Sequence, residues 1–97
     1  MDYIDRSFKI MVMIVDLKKF LVDELGYKKS PYTLSKEYPD KTITHVKFGE
    51  NKIEVYSNKD FHNKEYINYS LLFDMVMEGT PELANEFIQN AINKINS

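Results

Sequence analysis

The stretch "TITHVKFGENKIEVYS", residues 42–57, constrains the fold more than any other part of the chain. Its apolar and polar residues alternate with a period of two on both sides of "Gly49-Glu50-Asn51". That period is the signature of strands with one buried face. With Glu50 and Asn51 at the centre of a turn, Phe48 faces Ile53, Val46 faces Val55 and Thr44 faces Ser57. The same register sets Lys47 opposite Glu54 and His45 beside Tyr56. Apolar meets apolar and opposite charges meet, and a slip of one residue would destroy both matches.

The preceding "PYTLSKEYPDKT" supplies a third strand, so residues 30–57 read as a three-stranded antiparallel meander. Pro39-Asp40-Lys41 is turn chemistry, because proline presets φ and aspartate bonds its own backbone. A three-residue loop there brings Leu34 to Val46 and Tyr32 to Phe48, extending the same apolar face.

Helices flank the meander. In residues 8–25, Ile10, Ile14, Leu17, Leu21 and Leu25 share a stripe at three- and four-residue spacing. Gly26 is a suitable stop, with Tyr27 able to fold back on the last turn. The β-branched "KIMVMIV" segment competes as a strand, but the helical pattern continues through Leu25. "YINYSLLFDMVMEG", residues 66–79, reads as a second helix closed by Gly79. Thr80-Pro81-Glu82 then opens a third, with threonine as cap, proline at the first helical position and an acid in the first turn. Its stripe is Leu83, Phe87, Ile88, Ala91, Ile92 and Ile95. The expectation is a single α+β domain over residues 1–97, in the order α-β-β-β-α-α, with helices covering one face of the sheet in two layers.

Composition narrows the function classes. The net charge is −2, too weak a balance for a bulk electrostatic partner such as duplex nucleic acid or an anionic membrane. The first 49 residues carry an excess of two positive charges and the remainder an excess of four negative ones, a solvated asymmetry. The chain has no cysteine, which removes disulfides, zinc thiolates and thiol catalysis. The longest apolar run, "IMVMIV", is far short of a membrane span, and Asp2 and Asp5 occupy the place of a cationic signal region. The expected compartment is the cytoplasm. Lysine outnumbers arginine twelve to one, and asparagine, isoleucine and tyrosine are abundant. Those residues have AT-rich codons, which points to an AT-rich genome such as a low-GC bacterium or one of its phages.

Constellations for chemistry are sparse. Asp60, His62 and Glu65 stand close in "DFHNKE", but with no second histidine or cysteine nearby the segment reads as a helix entry capped by Asp60 or Asn63. A Pro39-Asp40 with Glu50-Asn51-Lys52 imitates a nuclease signature, yet the meander separates the two carboxylates by about 20 Å along a strand. No serine sits in a glycine-flanked elbow, and three glycines leave no phosphate-cradling loop. The reading is therefore non-enzymatic, without metal or cofactor.

"PYTLSKEYPDKTITHVKF" resembles the first two strands of double-stranded-RNA-binding domains, whose order is α-β-β-β-α. The resemblance covers about a third of the chain and implies an RNA-binding alternative. It departs from those domains where they carry a lysine cluster: here "NKEYINYS" offers Lys64 alone.

The remaining signal is apolar excess. Residues 10–15 are apolar on all sides of the first helix, and residues 66–77 nearly so. One sheet face does not readily cover two such helices and a third, so either one helix is central and fully enclosed within the monomer or part of this surface meets another chain. Met11, Met13, Met75 and Met77 suit an adaptable contact. His45, Lys47, Glu54 and Tyr56 form a second candidate patch on the polar side of the hairpin. The expected function is a small protein–protein interaction domain. It would act as an inhibitor or adaptor on a host complex, encoded by a phage or mobile element, or pair with a second copy of itself.

Overall fold

A computed structural model describes residues 2–30, 33–77 and 82–97, with the backbone alone at 2–4 and 77. It has an N-terminal helix α1 (Asp2–Asp23) and a five-stranded antiparallel sheet. The strands are β1 (Lys28–Lys29), β2 (Leu34–Glu37), β3 (Ile43–Phe48), β4 (Lys52–Ser57) and β5 (Asp60–Asn68), in the spatial order 1-2-3-4-5. Two helices follow, α2 (Tyr69–Met77) and α3 (Glu82–Asn96). The α+β class, with one helix before the sheet and two after it, is as expected; α1 begins at Asp2 and not at residue 8, and the sheet has five strands where three are read from the sequence.

The central hairpin takes the register that its side chains dictate. Phe48 pairs with Ile53, Val46 with Val55, Lys47 with Glu54, His45 with Tyr56 and Thr44 with Ser57. Leu34 lies opposite Val46, as the second turn requires. That turn is a three-residue loop in which Lys41 adopts a left-handed backbone at φ 74°. Asp40 Oδ1 accepts the Thr42 N–H at 3.0 Å, which holds the loop shut and keeps the Asp40 carboxyl below its ordinary pKa. The Tyr32–Phe48 pairing, the Gly79 stop and the Thr80-Pro81 helix start lie outside the described residues.

Two corrections concern the ends of the sheet. Residues 66–68 belong to a strand, so the second helix begins at Tyr69 rather than Tyr66. Asn68 is its cap, with Oδ1 accepting the Leu71 N–H at 3.1 Å. Asp60 and Asn63 are therefore strand residues and cap nothing. Ser57 and Asp60 close a two-residue turn at Asn58-Lys59, and pairing resumes at Val55–Glu65 after an irregularity. Asn58 extends the sheet edge with its own side chain, Oδ1 accepting the Ile43 N–H at 2.9 Å. The other addition is β1, two residues paired with Leu34 and Ser35.

The core lies between the sheet and the helices. Val46, Ile53, Val55 and Leu34 from the sheet meet Met13, Leu17 and Leu21 of α1, Leu72 and Phe73 of α2, and Ala84, Ile88, Ala91, Ile92 and Ile95 of α3. Gly26, at φ 78°, ends the chain's helical course, and the Tyr27 N–H reaches back to the Leu21 carbonyl at 2.9 Å. Tyr27 is buried, its hydroxyl 3.2 Å from that of Tyr38, and burial pushes its pKa up strongly. Polar groups inside are paired: Thr44 Oγ1 donates to Asn96 Oδ1 at 2.9 Å, and the Tyr69 hydroxyl donates to the Gly49 carbonyl at 2.8 Å. Desolvation pushes the Tyr69 pKa up to about 12.

Candidate interaction surface

The first helix has two apolar stripes where a surface helix needs one. Leu17 and its neighbours face the core. Phe8 stands nine residues earlier, two and a half turns at 3.6 residues each, so it points the opposite way. Phe8, Met11, Val12 and Val15 continue along that outward direction at spacings of three, one and three. Their exposures are 63%, 63%, 45% and 60%, values that belong to no buried role in this chain. The four leave about 400 Å² of apolar-rich surface in one strip, a size at which a monomer's largest patch is often functional.

Local interactions hold this strip in place from the side. Arg6 Nη2 bonds Asp74 Oδ1 at 2.7 Å, and its guanidinium lies 5.0 Å from the Phe73 ring centre. Both contacts tie α1 to α2, fixing the rotation of α1 and hence what it turns outward. Lys9 pairs with Asp5 at 3.2 Å one turn away, beside the strip. Leu71 and Met75, one turn apart on α2, are a further exposed apolar pair.

The four methionines named from the sequence separate. Met11 and Met75 are exposed, whereas Met13 is turned into the core beside Leu17. Met77 ends α2, and its side chain lies outside the described residues. Phe8, Val12 and Val15 complete the strip around Met11; their spacing around the helix carries the signal once the direction of Leu17 is known.

The second candidate patch is the open face of the sheet. His45 stacks on Tyr56 at 5.1 Å between ring centres and 20° between planes. Phe61 reaches the same tyrosine at 6.0 Å. Lys64 Nζ stands 5.1 Å from the centre of the Tyr56 ring and 3.5 Å from Glu54 Oε1, while Lys52 Nζ is 4.5 Å from the Tyr66 ring centre. Lys47 lies across from Glu54 in register, but it is Lys64 that pairs with the carboxylate. Partial desolvation lowers the pKa of His45. This face is largely satisfied by its own members.

Other constellations do not assemble. Glu65 turns toward α3 and pairs with Lys94 at 3.8 Å, while Asp60 Oδ1 accepts the His62 N–H at 3.0 Å. Asp40 and Glu50 fall in the turns at opposite ends of β3. No group of three or more His, Asp or Glu side chains placed to hold a metal ion occurs among the described residues, and no helix among them is long and apolar enough to cross a membrane.

No protein family, curated protein or solved structure matches the chain.

Proposed function

We propose that this protein is a small non-enzymatic protein–protein interaction module whose contact surface is the outward strip of α1. The observation that carries the reading is the run Phe8, Met11, Val12 and Val15, exposed on the side of the helix opposite Leu17. Apolar side chains set at helical spacing and left in water are the half of a helix–helix contact that a partner completes. An inhibitor or adaptor acting on a host complex is one biological form of such a module, and the AT-rich residue usage fits a phage or mobile-element source. A photo-crosslinking amino acid at position 11 tests the reading. A covalent adduct that disappears when Val15→Asp is added supports it, and the absence of any adduct from position 11 contradicts it.

A second reading, nucleic-acid binding, keeps one specific observation. Tyr66 and Phe61 are more than half exposed on a sheet face that also carries Lys47, Lys52 and Lys64. Bases stack on such rings while lysines take the phosphates. Absence of a salt-dependent gel shift with single- or double-stranded RNA and DNA removes it.

A further inference from the structure

We infer that the occupant of the α1 strip is a second copy of this chain, with the two α1 helices antiparallel about a two-fold axis between Met11 and Val12. The inference rests on the contact surface proposed above and names its partner.

A two-fold contact must be self-complementary. With the axis between residues 11 and 12, residues whose numbers sum to 23 stand at the same level. Phe8 of one copy then lies against Val15 of the other, and Met11 and Val12 of the two copies meet at the centre. The large ring thus faces a small side chain at both ends of the strip, and no charged side chain enters it between the two Phe8–Val15 layers. Val12 also borders a groove lined by Phe73 and Val76 of α2 and Ala84 and Asn85 of α3, and Val15 one that reaches Lys29 of β1, so the mate lies along α1 beside these elements.

The charges beside the strip select the direction. Asp5 and Lys19 project from the same flank of α1, on the two sides of the axis at nearly equal distances, roughly 10 Å along the helix at 1.5 Å per residue. Same-flank residues face one another in an antiparallel pair, so Asp5 of each copy meets Lys19 of the other. Among the described residues Lys19 makes no ion pair, and Asp5, whose Oδ2 is held by Lys9 of its own chain at 3.2 Å, has its second carboxylate oxygen for Lys19. A parallel pair instead sets Lys18 and Lys19 of one copy beside Lys19 and Lys18 of the other, a repulsion that disfavours it. The strip is about half the area per partner of a standard stable interface, which places the pairing in the weak, micromolar class.

The chain has no cysteine, so single cysteines report the geometry without background. Under mild oxidation at about 100 μM, Val12→Cys forms a cross-linked dimer, because the two copies of residue 12 lie within reach of a disulfide. Phe8→Cys alone and Val15→Cys alone do not, because each is separated from its own copy by about 10 Å along the axis. A mixture of Phe8→Cys and Val15→Cys does. Asp5→Lys and Lys19→Asp each weaken association several-fold, and the two together restore it. Circular dichroism confirms that each variant is folded. Cross-linking of Val15→Cys with itself as efficient as that of Val12→Cys overturns the antiparallel arrangement. No cross-link from any of these variants, with wild type at the mass of one chain, overturns the second copy as occupant. In that case the photo-crosslinker at position 11 separates the two claims. An adduct with a different protein leaves the α1 contact surface standing, and no adduct removes both.

Discussion

The outer face of α1 and the open face of the sheet are both turned away from the same core, yet they meet water differently. On the sheet, every large ring has a companion: Tyr56 lies among His45, Phe61 and Lys64, and Tyr66 has Lys52 beside it. Lysine stems and stacked rings cover apolar carbon while keeping charge in solvent. On α1 the strip from Phe8 to Val15 has no such cover, and the nearest charges stand beside it. Exposure alone therefore does not mark a contact surface. What marks it is apolar area that the chain's own polar side chains leave unattended.

Substitutions on the two faces separate them by effects of decreasing size. Within the sheet, the two faces of β4 should separate most. Ile53→Ala empties a fully buried position and is expected to cost about 3 kcal/mol, whereas Tyr56→Ala on the open face costs less than ~1 kcal/mol, both read from urea midpoints. Val15→Asp on α1 is expected to leave folding stability unchanged but weaken self-association by about two orders of magnitude, since it buries an unpaired carboxylate at the contact. Lys47→Asp on the sheet face should leave association unaffected, both effects being read from sedimentation equilibrium. A smaller effect tests how α1 is ended. A methyl group at Gly26 meets nothing closer than Lys36 Nζ at 4.0 Å, so Gly26→Ala costs only the left-handed backbone, about 1 kcal/mol by thermal melting.

The smallest effect lies in the pH dependence of the sheet face. Desolvation lowers the pKa of His45 in the folded state, so the unfolded chain takes up the proton first. The stability tied to the neutral ring is present above the unfolded value of about 6.5 and declines as pH falls below it toward the folded pKa. His45→Gln should flatten this slope between pH 7 and 5 in urea titrations, while Val15→Asp should leave it in place. The ring is mostly solvated, which keeps the slope shallow.

Much of the sheet was legible in the residues because a period of two admits no compromise. Once Val46, Phe48, Ile53 and Val55 share a face, the partners of Thr44, His45 and Lys47 follow. The fifth strand escaped the same logic. Residues 61–64 bulge out opposite Tyr56, both faces of this edge are largely wet, and its turn is Asn-Lys in place of a strong Asn-Gly signal. Helical spacing that begins at Tyr69 could then be extended backward through Tyr66. The two-residue β1 is too short to leave any pattern. On α1, the excess of apolar residues was plain from the sequence, but Met11 and Met13 look alike until the packing of Leu17 and Leu21 decides which way is in. Met13 precedes Leu17 by one turn and is buried; Met11 is rotated away and is not.

The proposed closure of the outward α1 strip by a second copy makes the mass of the protein depend on concentration. Light scattering across a dilution series from about 1 mM to 1 μM tests it most directly, because a weak pairing crosses its midpoint within that range. The expected result is a mass that falls from twice 11.5 kDa toward 11.5 kDa on dilution, with Val15→Asp at the lower value throughout. Wild-type protein at 11.5 kDa over the whole series would contradict the account.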